Sequence, residues 1–417
     1  MLFTFLINAL KVIFVLGFLV LIHESGHFLV AKLFKVRVNE FSIGFGKKLI
    51  SKTKGETEYS LRIVPLGGFV SMLGEEERSD DERSFSKQSI PKRIAICAAG
   101  GVVNIIFGLL VYFVLLLCMG NFVSKEVDSV VEGYGAEASG ILSGDEVISI
   151  NNKKVFISSD ISEIVTKNGS NDLNIVIKRN GEKRNIKVTP TEEKVKSLGI
   201  YLDDSDECKV SYISKDSPLN GKVNLGDVIL SIDDENLNGD TEKLSKLIEE
   251  STKEVNIKIK SSNEEKVISI MPKEYSNYYI GVIFKQADKD FLTRLYYSWF
   301  ETGDFILSLA DNVKSLFTAK VSVNDMMGPI GISKTVSETS GIRDFIYLMA
   351  LISLSLGITN LLPIPALDGG KIFILLIEAI RRKPMKESTE IFIQMIGFSL
   401  LILLSIYISY IDVLRFF

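Results

Sequence analysis

The sequence predicts a polytopic α-helical membrane protein. It has four transmembrane helices, a membrane-associated β-hairpin and two small α/β repeats in tandem outside the bilayer. Three observations lead there. Apolar residues are gathered in blocks, and residues 94–119, 345–367 and 391–411 carry no charge at all. Between the second and third spans lies a polar stretch, residues 122–290, with an internal repeat. Basic residues collect beside the apolar blocks.

At 1.5 Å of rise per residue, each uncharged block can cross a hydrocarbon core ~30 Å thick. A fourth apolar segment opens the chain, Val12 to Ile22, and continues past His23 to Val30. With Lys11 as a basic flank it could also read as a secretory leader. No small-x-small cleavage site follows, so a retained first span is expected, residues 1–34. Residues 35–93 hold the hairpin, in which Tyr59 to Val64 alternates after a turn at Lys54-Gly55-Glu56. The second span covers 94–120, the repeats 122–195 and 196–285, an amphipathic helix 290–320, the third span 343–380 and the fourth 389–413.

Charge sets the expected orientation. Residues 32–93 carry 13 Lys and Arg, and Arg381, Arg382, Lys383 and Lys386 lie between the last two spans. Both regions should face the cytoplasm, which leaves the termini and the polar middle outside. A net charge of −4 over 417 residues implies no general affinity for nucleic acid. Cys97 and Cys118 are 21 residues apart on one expected helix and cannot bridge. With Cys208 they read as packing residues, and no disulfide framework or cysteine metal site is indicated.

The repeat is Gly144-Asp145-Glu146-Val147-Ile148-Ser149-Ile150-Asn151, echoed 82 residues later by Gly226-Asp227-Val228-Ile229-Leu230-Ser231-Ile232-Asp233. Helix-like stretches follow at Ile161–Lys167 and Glu242–Glu250. Alternating strands come next: Leu173–Lys178 and Asn185–Val188, then Val255–Lys260 and Lys266–Met271. The pattern resembles a tandem pair of bacterial PDZ domains. It fits the first copy better, where Gly135-Ala136-Glu137-Ala138-Ser139-Gly140-Ile141 precedes the motif; the second has Ser217-Pro218 and a shortened loop. Beyond the repeats, Leu292, Leu295, Tyr296, Trp299, Ile306, Leu309, Val313 and Leu316 share one helical face, with Asp304 and Asp311 opposite. That face either packs in a core or lies in the membrane interface, and Trp299 and Tyr296 favour the interface. Gly328-Pro329-Ile330-Gly331 reads as a stiff turn before the third span.

The chemistry-bearing residues lie in the spans. The first ends in His23-Glu24-Ser25-Gly26-His27, and these are the chain's two histidines. On a helix, residues i and i+4 share a face, so two imidazoles can hold one Zn²⁺. Glu24 sits where it can take a proton from a water on the metal. Polar ionisable groups at membrane depth are costly and usually functional. A catalytic zinc usually has three protein ligands. With no third histidine, the missing ligand should be a carboxylate from another span. Asp368 is the candidate, in Asn360-Leu361-Leu362-Pro363-Ile364-Pro365-Ala366-Leu367-Asp368-Gly369-Gly370. The prolines and asparagine should break the helix in mid-membrane. Gly369 and Gly370 should let backbone pass close to a metal or ligand.

HExxH in a first span and NxxPxPxLDGG in a third resemble the site-2 proteases. Four spans with tandem external PDZ domains narrow the resemblance to the bacterial regulator of sigma-E protease group. Phe41-Ser42-Ile43-Gly44-Phe45-Gly46 and Pro65-Leu66-Gly67-Gly68-Phe69-Val70 are similar to that group as well. The resemblance covers nearly the whole chain. It implies an intramembrane zinc endopeptidase in a bacterial cytoplasmic membrane, with His23, His27 and Asp368 on zinc and Glu24 as base. Asn360, Pro363 and Pro365 would help hold substrate. The family cuts single-span anti-sigma factors and remnant signal peptides, trimmed beforehand by a site-1 protease. One departure stands in the second span, Ala99-Gly100-Gly101-Val102-Val103-Asn104, where the family usually has proline after the first glycine.

A transmembrane substrate hides its carbonyls in its own helix, so it must unwind before water attacks, and unwound backbone in lipid needs partners. The alternating segment with Tyr59, Leu61 and Ile63 is expected to lend an edge strand. Three other function classes compete: a zinc protease acting on soluble or lipid substrates, an inactive PDZ adaptor, and a transporter. An adaptor would not need His23, Glu24, His27 and Asp368 together, and no transporter-like inverted repeat is present.

Overall fold

The computed structural model describes residues 2–75, 77, 79–202, 207–214, 216–224, 226–261, 264–317, 327–339 and 341–416. Helix α1 runs Leu2–Leu33 with no proline to interrupt it. It closes with Lys35 in the left-handed region (φ 60°). The Val36 N–H reaches back to Ala31 O at 2.9 Å and Lys35 N–H to Lys32 O at 3.0 Å, satisfying carbonyls of the last turn. Strands β1 (Val38–Lys54) and β2 (Thr57–Met72) follow as one long antiparallel hairpin.

Both strands bend midway. Gly44, Gly46 and Gly67 have φ of 86°, 85° and 115°, which side chains rarely tolerate. The bends fold the hairpin into a four-segment sheet ordered Lys48–Lys54, Thr57–Arg62, Val38–Ile43, Gly68–Met72. This corrects the expected role of Tyr59 and Leu61. Tyr59 pairs with both Lys52 and Phe41, and Leu61 with both Ile50 and Ile43, so the ladder at these two residues is already occupied. The edges are Lys48–Lys54 and Gly68–Met72. Helix α2 (Ile90–Met119) starts with Pro91 in its first turn and contains no later proline.

Residues 121–325 form a unit apart from 1–120 and 326–412. It opens with β3 (Val123–Val130), a single-turn α3 (Gly135–Ala138), β4 (Glu146–Ile150), β5 (Lys153–Lys154), α4 (Ser158–Asn168), β6 (Leu173–Arg179) and β7 (Glu182–Val188). After β8 (Thr191–Ser197), the pattern recurs in β9 (Ile200–Leu202), β10 (Val210–Ile213), β11 (Val228–Ile232), β12 (Glu235–Asn236), α5 (Thr241–Glu250), β13 (Val255–Ser261) and β14 (Glu264–Ile270). Then β15 (Lys273–Tyr279) pairs back on β8, and β16 (Val282–Gln286) pairs with β3. The second repeat is therefore inserted within the first. The boundary expected at 196–285 is wrong at its end. Ile280 is buried in the first repeat's core with Val127, Val147 and Leu173, while the second packs around Ile229, Ile257 and Leu244.

The repeated Gly-Asp has a physical reason. Asp145 accepts from Leu142 N–H at 2.9 Å, and Asp227 from Asn224 N–H at 2.9 Å, so each closes its own turn. Burial alone would raise the Asp145 carboxyl, but Arg179 at 2.7 Å and the Leu142 N–H hold it below the usual range. Helix α6 (Phe291–Phe317) lies against the first repeat. Tyr297 stacks on Phe122, Phe300 on Phe156, and Asp304 accepts from Ser159 Oγ at 3.1 Å. Leu292 and Trp299 face away, 73% and 69% exposed. Residues 318–320 of the expected amphipathic segment lie outside the described residues.

Pro329 begins a helix rather than a turn: α7 (Pro329–Glu338), whose opening N–H groups on Gly328 and Gly331 are accepted by buried Asp412 at 3.0 and 2.8 Å. The expected third span 343–380 is two helices, α8 (Ile342–Leu361) and α9 (Asp368–Arg381), separated by a loop. Leu362 precedes Pro363 and is extended, which ends α8 just after Asn360. Helix α10 (Glu387–Phe416) completes the chain. Among the described residues four helices are long and apolar enough to span a membrane: α1, α2, α8 and α10.

These spans meet through small residues. A Cβ on Gly101 of α2 would fall 2.9 Å from Gly357 O of α8, and one on Gly108 2.9 Å from Ala350 O. Lipid tails are as apolar as leucine, so close backbone approach and dispersion drive such contacts. Glycine at 101, where the family's proline was expected, leaves α2 continuous and lets α8 in.

Candidate metal centre and active site

His23 and His27 lie one turn apart on α1, and α9 brings Asp368 to them. The three ligand atoms form a nearly equilateral triangle. His23 Nε2 to His27 Nε2 is 3.2 Å, His23 Nε2 to Asp368 Oδ2 3.2 Å, and His27 Nε2 to Asp368 Oδ2 3.3 Å. Three ligands of a tetrahedral zinc at 2.0–2.1 Å would stand about 3.3 Å apart. The edges therefore fit the ion.

Hydrogen bonding supports the same reading. His27 Nδ1 lies 2.8 Å from Ile96 O, a carbonyl that can only accept. That bond puts the proton on Nδ1 and leaves Nε2 with a lone pair. Asn104 and Asn360 each bring a side-chain amide to 3.5 Å from His23 Nδ1. Asn104 Oδ1 is buried with no hydrogen-bond partner. The contact at His23 Nδ1 is through the amide Nδ2 of each asparagine; with the Asn104 amide rotated end for end, Oδ1 would accept from His23 Nδ1–H and hold the same tautomer there. Asp368 Oδ2 is likewise buried without a hydrogen-bond donor. Three ligand atoms thus converge within 3.3 Å of one another, an arrangement a cation satisfies.

Small residues make the room. A Cβ on Gly100 would fall 2.3 Å from His27 Nε2 and 2.7 Å from His23 Nε2. One on Gly26 would strike Ala99 O at 2.5 Å, so α1 and α2 touch backbone to backbone behind the histidines. The expectation for Gly369 and Gly370 needs correcting. Their free faces meet the chain's own loop, at 2.1 Å from Leu362 O and 2.3 Å from Ile364 O, and not the metal position. They let α9 turn back tightly and so deliver Asp368.

A cavity of about 750 Å³ opens onto the triangle. Its wall includes Glu24, the edge segment Phe69–Met72, Cys97 and Lys371. Glu24 packs beside the same edge: a Cβ on Gly68 would lie 3.5 Å from Glu24 Cγ. The structure brings His23, Glu24, His27 and Asp368 together, with Asn360 touching His23. Pro363, Pro365, Tyr59, Leu61 and Ile63 do not line the cavity. Three features escaped the sequence reading. Cys97, read as a packing residue, stands in the cavity wall. Asn104 was seen only as part of a variant motif. Lys371 pairs with Glu75 at 2.8 Å across 296 residues, and only its position one turn beyond Asp368 hinted at it.

Comparison with known proteins gives the family. The profile of peptidase family M50 matches residues 11–404. The chain is 29% identical over 437 residues to the regulator of sigma E protease of Haemophilus influenzae, covering 97% of this chain and 98% of that one. It is 30% identical over 431 residues to the zinc metalloprotease RasP of Oceanobacillus iheyensis, covering 97% and 98%. To the regulator of sigma-W protease RasP of Bacillus subtilis it is 28% identical over 443 residues, covering 99% and 100%. A match that starts before HExxH and ends beyond Asp368, over the residues that build the triangle, makes this chain a member of peptidase family M50.

Proposed function

We propose that this chain cuts transmembrane segments of pre-trimmed single-span proteins, using His23, His27 and Asp368 to hold zinc and Glu24 as the base. As a member of its family it is a zinc metalloendopeptidase of the site-2 protease type. The observation that carries the residue assignment is the triangle of His23, His27 and Asp368 ligand atoms beside Glu24 at the end of a spanning helix. Its relatives' names, regulators of sigma E and sigma W, support substrates of the anti-sigma type; remnant signal peptides have the same single-span form.

His23, His27 and Asp368 would hold the zinc, which would supply Lewis acidity toward the scissile carbonyl and the attacking water. Glu24 takes the water's proton and gives it to the leaving amide nitrogen. Ile96 O and Asn104 keep the imidazoles in the metal-ready tautomer. The Gly68–Met72 edge, rather than the doubly paired Tyr59 and Leu61, offers the unwound substrate a ladder next to Glu24, since among the described residues it is paired on one side only, with Val38–Ile43. Asn360 stands at the same site, 3.5 Å from His23 Nδ1, while Pro363 and Pro365 act through the loop that leads to Asp368.

The basic flanks support a cytoplasmic hairpin and an outer position for the PDZ-like repeats, whose bulk would exclude untrimmed substrates. The outward Leu292 and Trp299 of α6 suit a membrane interface. The test is cleavage of a detergent-solubilised single-span substrate, with and without its external domain, by wild type and Glu24→Gln. Cleavage within the span of the trimmed form alone, lost in Glu24→Gln, is expected. Preference for soluble peptides would replace the membrane substrate with another.

A further inference from the structure

Two residues before Asp368, Ala366 has φ 75°, in the left-handed region that an alanine enters at a cost. Its N–H donates to Gln394 Oε1 on α10. One turn further along α10, Gly397 lies against the same loop: a Cβ there would fall 2.4 Å from Pro365 Cβ and 2.5 Å from Pro365 O. A polar and a small residue at i and i+3 on α10 thus cradle the segment that turns into Asp368. On its inner side the loop is closed by Gly369 and Gly370 against Leu362 O and Ile364 O.

Gln394 is out of keeping with its surroundings. Its neighbours on the spanning helix are Ile391, Phe392, Ile393, Met395 and Ile396. Its Nε2 is buried with no hydrogen-bond partner, alongside a second cavity of about 630 Å³. A half-satisfied amide at membrane depth is a poor choice for stability alone. What it supplies is one acceptor, at the residue whose backbone sets the direction of Asp368.

We infer that Gln394 is a positioning residue for the metal site: through Ala366 N–H it holds the left-handed turn that brings Asp368 Oδ2 to His23 and His27. The inference rests on the ligand assignment proposed above. An unheld Ala366 relaxes toward negative φ, and the carboxylate swings away from the triangle. Glycine at 366 adopts the turn without help, so it should remove the need for Gln394.

The test uses the full-length protein in detergent as wild type, Gln394→Leu, Gln394→Leu with Ala366→Gly, and Asp368→Asn. Zinc affinity is measured by chelator competition, the Co²⁺-loaded forms by visible absorption, and the metal-free forms by thermal melting. Gln394→Leu should weaken zinc at least about tenfold, a ΔΔG of roughly 1.4 kcal/mol, and change the Co²⁺ bands. Its metal-free melting should match wild type, and Ala366→Gly should restore most of the affinity. Wild-type affinity and bands in Gln394→Leu, no rescue, or a fall in metal-free melting that parallels the affinity would each overturn the positioning role. If Asp368→Asn loses zinc while Gln394→Leu keeps it, only this inference fails. If Asp368→Asn holds zinc as wild type does, the ligand assignment fails and takes this inference with it.

Discussion

The two halves of the candidate metal site are built in opposite ways. His23 and His27 owe their spacing to one continuous helix, where i and i+4 face the same way whatever the rest of the chain does. Asp368 owes its position to a broken segment. It needs Pro363 to end α8, Gly369 and Gly370 to fold α9 back, a left-handed Ala366, and α10 at its flank. The first half is local and rigid. The second is assembled from four places in the sequence and can be disturbed from any of them. Changes on α1 should therefore remove chemistry without loosening structure, while changes around the loop should grade the metal affinity.

The largest effects should come from the ligands and the base. His23→Ala or His27→Ala should lose most zinc and all measurable turnover. Glu24→Gln should keep its zinc and lose about 10²–10⁴-fold in rate. Asp368→Asn should lose orders of magnitude in activity with the protein still folded in detergent, because a neutral amide is a poor third ligand. Metal analysis beside the rate assay separates these cases. Full zinc in the double histidine variant would end the comparison at once.

Gly100→Ala should come next. Alanine favours a helix interior over glycine by about 1 kcal/mol, so α2 itself should gain. The new Cβ would sit 2.3 Å from His27 Nε2. Zinc affinity should fall more than tenfold while the metal-free melting temperature holds or rises. A variant that melts earlier and binds zinc normally would show that Gly100 serves packing alone. Asn104→Ala should do less, costing about tenfold to a hundredfold in affinity as an outer-shell partner of His23. No change would leave Asn360 as the residue that orients His23.

The smallest effect concerns the hairpin. Arg83, then Lys32, hold the Glu56 carboxyl down at about 2. The folded value is depressed, so the contribution is complete above the ordinary carboxylate value of about 4.3 and fades as pH falls toward the folded one. The three-residue cluster is partly exposed to solvent and worth little. Glu56→Gln should melt slightly below wild type at pH 7, and the gap should shrink below about pH 4 and close near pH 2. A gap that stays constant with pH would assign the difference to something other than charge.

What the sequence made legible follows the same division. HExxH could be read because a helix converts spacing directly into geometry. Asp368 followed because two histidines leave a zinc short of ligands and this carboxylate sits beside a helix break. The alternation of Tyr59–Val64 correctly announced a strand. Its edge status was misread because the bends at Gly44, Gly46 and Gly67 lay pairing on both sides of it. The Gly-Asp echo revealed two repeats. It could not reveal that β16 returns to β3, since that pairing spans more than 150 residues (Val282 with Val130). Lys371 with Glu75 and Gln394 with Ala366 are long-range pairs that no local pattern encodes.

The site stands or falls on whether His23, His27 and Asp368 hold one zinc. Zinc-edge X-ray absorption on purified wild type and Asp368→Asn tests it most directly. Two imidazoles and a light oxygen shell at about 2.0–2.1 Å are predicted, with the carboxylate contribution gone in the variant. A sulfur shell at about 2.3 Å would bring in Cys97 from the cavity wall, and an unchanged spectrum in Asp368→Asn would contradict the assignment outright.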